Sequence, residues 1–436
     1  MAVFQTTKLP KDDDSCGWWQ LRPTGHNFPR LIRDLDCDYA IVGAGWTGLA
    51  AARRLAERKP KARIVVLEAG TVGYGAAGRN SGFLYDLPFL FPEDEYRGRE
   101  DDGRQEIALY RTIIDELRTF VHSGGVDCDW SEIGQYHVAV GSKGEGELAR
   151  ISAGLRNLGE RYRTLGSSEL KEALGTEYYS AAIHTTGTVQ INSLALIRAL
   201  AEAMPENVEI FEQSPVTRIE DGDHPRLLLN TAIVTAGNVL LTTNTFLRSF
   251  IGSPSRLVPL VTFAGLTKPL DEDTAPAGDA QWGVVPAALF GTSMRRLADG
   301  RFLVRNTYAY GEDYWGSASW PDRTKERQML SLQRRFPEND GFELEWSWSG
   351  LVSIFRNANG WFGEVAPHIF AATTSGMPLC ILYGQQLAEY ATGGGDEALA
   401  FVRRRSRPGG LPPQPILGYL ARLMTSLRQR REWAEV

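Results

Sequence analysis

Cysteine is scarce in this chain, with four residues among 436, at positions 16, 37, 128 and 380. Their wide spacing excludes a disulfide framework and a paired zinc-binding motif, and it suits a reducing cytoplasm, the expected location. Histidine is equally thin, with six residues at 26, 122, 137, 184, 224 and 368. None stands at ligand spacing from another, so no metal site is expected. Lysine and arginine total 47 against 53 acidic residues, and the net charge of −6 gives no footing for nucleic-acid binding. No apolar run reaches bilayer-spanning length. Met1 to Ser15 carries Lys8, Lys11 and the acidic run 12–14 where a secretory signal needs hydrophobic residues. Membrane attachment is therefore not expected, and the oligomeric state stays open.

What remains is the composition of an ordinary globular enzyme, with 43% hydrophobic and 23% charged residues. The length exceeds the size at which a single core stops growing, so two lobes are expected.

The most informative segment runs from Cys37 to Leu84. Tyr39 to Val42 is a short apolar strand, Gly43, Gly45 and Gly48 make G-x-G-x-x-G, and Leu49 to Arg58 has helical spacing. A second strand, Arg63 to Leu67, ends in Glu68. Glycines at these points allow the tight turn, the approach of backbone to a pyrophosphate and the close packing of helix on strand. The helix N-terminus supplies N–H groups and positive dipole to phosphates. The cradle would consist of Gly43, Ala44, Gly45, Trp46, Thr47 and Gly48, with Glu68, Ala69 and Gly70 at the ribose. An acid at position 68 favours a free ribose diol, hence FAD or NAD over NADP.

The continuation Gly73 to Leu84, GYGAAGRNSGFL, resembles the G-W-G-A-S-G-R-N-G-G stretch of the D-amino-acid oxidase superfamily of flavoproteins. The likeness is greatest to the branch containing gamma-glutamylputrescine oxidase, glycine oxidase and sarcosine oxidase. The resemblance implies bound FAD, with Ala77, Arg79, Asn80, Ser81 and Gly82 along the cofactor. It extends through Gly187 to Met204 and Val208 to Ile219, where it implies that the backbone of Val216 meets the adenine. In Ala236 to Phe246 it nominates Thr243 and Asn244, and in Trp348 to Glu389 it places Gly376 and Met377 at the opening of the last cofactor helix. The chain departs from the family at Ser375-Gly376-Met377-Pro378, where S-G-H-G is common, and at Asn357 to Gly360, where D-R-L-P is usual. No cysteine lies in that second stretch, so the FAD is expected to be noncovalent. The lysine that assists oxygen reduction in sarcosine oxidases has no counterpart, Arg305 being the nearest cation.

The expected fold is α/β, a discontinuous Rossmann-like FAD-binding domain plus a substrate domain built on a mixed or antiparallel sheet. Cofactor segments are expected at 30–95, 185–255 and 345–400, substrate segments at 96–184 and 256–344, and a helical extension at 401–436. Asp101 to Ser123 reads as a helix, and Cys128 to Val140, Val258 to Lys268 and Phe302 to Tyr310 alternate like half-buried strands. Pro415 to Trp433 reads as a basic amphipathic helix that docks on the chain's own body or on a partner subunit, with attachment to a membrane surface as the less favoured alternative. Trp18 and Trp19 are expected to pack the N-terminal arm onto the body. Trp315, Trp320, Trp346, Trp348 and Trp361, with Tyr308, Tyr310 and Tyr314, suit a hydrophobic amine or an interdomain core.

Taken with the resemblance, these residues imply an FAD-dependent oxidoreductase acting on the CH–NH bond of a small amine or amino acid. Hydride would pass to flavin N5, and the resulting imine would hydrolyse. An NAD(P)H-dependent flavin hydroxylase and a noncatalytic flavin-binding subunit are the alternatives. No catalytic side chain is assigned.

Overall fold

A computed structural model describes residues 2–435 except 12, 23–26, 89–95, 97, 253–255, 272, 274, 312–319, 356–359, 406–408, 414, 433 and 434. Among the residues named above, His26, Tyr314, Trp315, Asn357, Ala358, Asn359 and Trp433, together with the side chain of Trp320, lie outside that description.

Leu35–Val42, Ile64–Leu67, Val208–Phe211, Ile233–Leu241 and Ile369–Thr373 are hydrogen-bonded as parallel strands. Ile64, Val65 and Val66 have no exposed surface, as an unbroken apolar run requires when both faces of a sheet are covered. An antiparallel meander, Val216–Glu220 and Arg226–Leu229, extends this sheet, and Val3–Gln5 closes its edge. Helix Trp46–Arg58 covers one face with Leu49, Ala51, Ala52, Leu55 and Ala56. Each buried leucine contributes about 1.5–3 kcal/mol by leaving water. Helix Met377–Ala391 crosses it so closely that a Cβ at Gly384 would stand 2.2 Å from the Thr47 carbonyl oxygen.

The second sheet has eight strands in the order 344–354, 258–267, 302–310, 293–296, 282–286, 135–139, 181–185 and 163–166. Its pairs are antiparallel except Trp282–Pro286 with Gln135–Ala139, which makes the sheet mixed. Strand Phe302–Tyr310 shows how period two serves both faces. Phe302 and Val304 join an outer core with Leu332 of helix Trp320–Arg335 and with Phe336 just beyond its end, while Leu303 joins the core shared with helix Trp46–Arg58. The α/β class with a discontinuous Rossmann-like region and a mixed substrate sheet is thus observed.

One boundary differs. All of strand Leu344–Ile354 but its first residue falls within the expected cofactor segment 345–400, yet it pairs antiparallel with Val258–Thr267 in the substrate sheet. The reason is readable in its first half, Leu-Glu-Trp-Ser-Trp-Ser, which alternates like a half-buried strand instead of running apolar. Helix Ile416–Arg431 packs along Phe302–Tyr310, where Gln429 Nε2 donates to the Tyr308 carbonyl at 2.8 Å and Gln429 Oε1 accepts from the Tyr308 N–H at 3.0 Å. Among the described residues no helix is long and apolar enough to cross a membrane.

Candidate cofactor and active site

Strand Leu35–Val42 ends in a turn that only glycine serves well. Gly43 has φ +103°, and its N–H donates to the Leu67 carbonyl at 2.9 Å. A Cβ on Gly48 would stand 1.9 Å from the Gly43 oxygen, so helix and turn meet backbone to backbone. A Cβ on Gly45 would meet nothing nearer than the Ala77 Cβ at 3.9 Å, which leaves this flank open to a ligand. No side chain caps the helix that begins at Trp46, so its first N–H groups are left for an anion. These are the properties a pyrophosphate cradle needs.

Glu68 lies beside this turn. Its two carboxylate oxygens accept from the Ala44 and Gly70 N–H groups, each at 2.9 Å. Burial pushes its carboxyl up, against the opposing pull of those backbone bonds. The Ser214 N–H donates to the Glu68 carbonyl at 2.8 Å, which brings the start of strand Val216–Glu220 next to the acid. Val216 is itself buried.

A second turn repeats the first, and the spacing Gly73-x-Gly75-x-x-Gly78 was its unread signal in the sequence. Gly73 has φ +90°, and a Cβ on Gly78 would stand 2.1 Å from the Gly73 oxygen. Here the helix is only Ala76–Arg79. Asn80 ends it, donating to the Ala77 carbonyl and accepting from the Gly82 N–H and the Ser193 hydroxyl. Arg79 is 4% exposed and not a surface cation. Its guanidinium donates to the Ser349 carbonyl at 2.6 Å, to Asp13 at 2.8 Å and to the Ser15 hydroxyl at 2.9 Å. Trp18 Nε1 donates to the Asn80 carbonyl and Trp348 Nε1 to the Arg79 carbonyl, both at 2.9 Å. The N-terminal arm and the substrate sheet therefore both hold this loop.

Of the pair Thr243 and Asn244, Asn244 takes φ +48° and accepts from the Ser353 hydroxyl at 2.5 Å. Thr243 Oγ1 is buried with no partner among the described residues. The neighbour that touches the first glycine turn is Thr242, unmarked in the sequence, whose hydroxyl donates to the Val42 and Gly43 carbonyls at 2.9 and 3.0 Å. Gly376 has φ +95° with open space around it and precedes Met377, where the helix starts with Pro378 in its first turn. The Ser375 hydroxyl donates to the Ser353 carbonyl.

The inner face of the substrate sheet carries both Arg295 and Arg305, and Arg295 reaches the second loop. Arg295 is 3% exposed and spends its donors on the carbonyls of Ser81, at 2.9 Å, and Ile191, at 2.8 Å, and on Gln190 Oε1, at 2.9 Å. Burial pushes its pKa down to about 10. Arg305 donates to the Ser293 hydroxyl at 2.7 Å and lies over the Tyr308 ring, and burial lowers its pKa as well. Among the described residues neither guanidinium has a carboxylate within ion-pair distance. Tyr85 stands in the field of both, and burial raises its hydroxyl pKa. On the same sheet His137 faces Gln135, with ring Nε2 and amide Nε2 3.0 Å apart, and burial holds its pKa at about 4.

A Haemophilus influenzae protein named as a probable oxidoreductase, OrdL, is 27% identical over 403 residues, which cover 88% of this chain and 89% of that one. The gamma-glutamylputrescine oxidoreductase of Escherichia coli is 26% identical over 400 residues, with 88% and 90% covered. The fold is shared with the crystal structure of glycine oxidase from Geobacillus kaustophilus, at a TM-score of 0.70, 20% identity and coverage of 83% and 96%. The sequence pattern of the DAO family matches residues 38–390, and the chain belongs to this family of FAD dependent oxidoreductases.

Proposed function

We propose that this protein oxidises the CH–NH bond of an amino acid, or of an amine that also carries a carboxylate, using noncovalently bound FAD. The observation that carries the reading is the pair Arg295 and Arg305, partly or fully buried on the sheet face that meets the Ser81–Gly82 loop, with no carboxylate partner among the described residues. An uncompensated buried cation is costly, and an anionic ligand removes that cost. Arg305 is the residue with donors to spare, since among the described residues its one hydrogen-bond partner is a neutral hydroxyl. The two names that carry a substrate agree: glycine and gamma-glutamylputrescine each bear an amine and a carboxylate. Both also support the gamma-glutamylputrescine oxidase and glycine oxidase branch, as the Gly73 to Leu84 loop does.

The residues that would hold FAD are Gly43 to Gly48, Glu68 to Gly70, Ala77 and the loop Arg79 to Gly82, with Val216, Thr243, Asn244, Gly376 and Met377 around them. Bound there, FAD supplies the two-electron acceptor for the carbon–nitrogen bond. Arg305 orients the substrate by its carboxylate. Burial holds His137 at a pKa of about 4, so it is assigned no role as a base, and the amine reacts as its free base. The Cys16 and Cys380 thiols each donate to a backbone carbonyl, of Gly78 and Thr374, which supports noncovalent attachment. All four cysteines are free, in keeping with a cytoplasmic location.

The test is anaerobic flavin bleaching by amino acids, by the matching decarboxylated amines and by NADH. Amino acids should bleach it, faster as pH rises. Arg305→Met should weaken apparent substrate affinity by about 1.5–3 kcal/mol, roughly 10- to 150-fold. Reduction by NADH alone would establish the hydroxylase alternative, and reduction by nothing the noncatalytic one.

A further inference from the structure

Helix Ile416–Arg431 is turned inside out relative to an ordinary surface helix. Its docked face holds Leu417, Gly418 and Thr425, and its closest bonds to the body are the polar pair from Gln429 to the Tyr308 backbone. The opposite face carries Ile416, Tyr419, Leu420, Leu423, Met424 and Leu427, between 36% and 66% exposed. Their spacing of three and one residues forms a continuous apolar stripe, the pattern that normally marks the side facing the core. A contiguous exposed stripe of this kind marks an interaction surface.

Charge identifies the occupant. Arg422, Arg428, Arg430 and Arg431 are all exposed, and the helix contains no Asp or Glu. Arg422 and Arg428 flank the stripe, each packed over an aromatic ring of the body, Tyr310 and Phe290. Arg430 and Arg431 stand at its C-terminal end. Two-fold pairing with a second copy would set this basic helix against itself, without an acid on the helix to compensate. An anionic lipid surface satisfies both features, taking the apolar side chains into the acyl boundary and the guanidinium groups into the headgroup layer. The whole chain carries a net charge of −6 despite the four arginines of this helix, so its remainder is acidic, and the same surface repels that remainder and fixes its orientation.

We propose that this helix docks the protein, in the plane of the interface, on an anionic lipid bilayer. An in-plane helix of 16 residues needs no spanning length, so it is compatible with the absence of a transmembrane segment among the described residues. The proposal rests on the outward stripe and not on the assigned reaction.

Co-sedimentation of the full-length flavoprotein with vesicles of phosphatidylcholine, with and without phosphatidylglycerol, tests it. Binding to the anionic vesicles is expected, weakening at high salt. Leu423→Glu combined with Leu427→Glu replaces exposed side chains, so flavin content and melting temperature should be retained while vesicle binding falls about 100-fold. Arg430→Glu with Arg431→Glu should reduce binding about tenfold or more. Absence of binding to anionic vesicles would overturn the proposal, as would unchanged binding in the double glutamate variant. A concentration-dependent dimer in analytical ultracentrifugation that Leu423→Glu with Leu427→Glu abolishes would overturn it too, by assigning the face to a second copy.

Discussion

The turns Gly43–Gly48 and Gly73–Gly78 have the same glycine spacing and nearly the same backbone, yet one opens a 13-residue helix and the other a helix of four. In each, the first glycine is at positive φ, the third abuts the carbonyl of the first, and the middle one faces open space. Their sequels separate them. After Gly48 come Leu49, Ala51, Ala52, Leu55 and Ala56, a stripe that a sheet can bury, and the helix grows to the length of that stripe. After Gly78 comes Arg79, then Asn80, whose side chain bonds the chain around itself and ends the helix. The first turn belongs to the core, braced by Thr242. The second belongs to a junction, held by the N-terminal arm and the substrate sheet. A shared local motif thus fixes the turn, and tertiary surroundings decide whether it serves as foundation or as loop.

The sharpest break of this comparison is a methyl group on the third glycine of each turn. Gly48→Ala places a Cβ against backbone at 1.9 Å in the core and also crowds Thr242 Oγ1 at 2.8 Å. It should cost about 3 kcal/mol or more, read as a lower urea midpoint. Gly78→Ala makes a similar clash at 2.1 Å, but its four-residue helix can shift, so a smaller loss of about 1–2 kcal/mol is expected. Equal losses would show that the second turn is as deeply built into the fold as the first.

The middle glycines separate binding from folding. Gly45→Val and Gly75→Val both enter open space, so unfolding of the apoprotein should change by less than about 0.5 kcal/mol. Gly45→Val should nonetheless yield colourless protein, because the valine occupies the approach to the pyrophosphate. Full flavin content in a folded Gly45→Val protein would remove the first turn from the cofactor site.

How legible this was varies by residue type. The first turn stood out because strand, glycines, helix and acid occur in sequence order, each with its own period. Strand Phe302–Tyr310 and the helices at 100–124 and 416–431 were readable from periodicity alone. The boundary at Leu344 is masked by the resemblance of the following segment to a closing cofactor element, although the alternation of Leu344 to Ser349 is that of a half-buried strand. Thr242 carries no local signal, since its role depends on two strands lying side by side across 200 residues. The partners of the buried Arg79 are equally hidden, as Asp13, Ser15 and Ser349 come from opposite ends of the chain.

In the proposed site Glu68 would link the first turn to the ribose, and a smaller effect is expected there. Glu68→Ala should weaken FAD affinity by about 1.5–3 kcal/mol, the range for hydrogen bonds to a charged group. The variant also frees the Ala44 and Gly70 N–H groups, so apoprotein stability must be measured beside affinity. A stability loss with unchanged affinity would make Glu68 a brace of the turn and not a cofactor ligand.

The smallest effect belongs to the strap over the second turn. Asp13 accepts from the buried Arg79 while its own side chain remains 44% exposed. Burial pushes its carboxyl up, but the Arg79 charge and the bonds from Ser15 and Arg79 outweigh this, leaving its pKa below the usual carboxylate value. A depressed folded pKa means that the stabilisation is present above the unfolded value of about 3.9 and disappears as pH falls through the folded one. Solvent screening limits it, so Asp13→Asn should cost no more than about 1 kcal/mol near neutral pH. The difference between the two proteins should vanish in acid, where Asp13 is protonated and resembles asparagine. Arg79 keeps the Ser15 hydroxyl and the Ser349 carbonyl in either case. A penalty that persisted unchanged into acid would mean that Asp13 holds the arm by geometry instead of charge, and the second turn would then be as firmly fixed as the first.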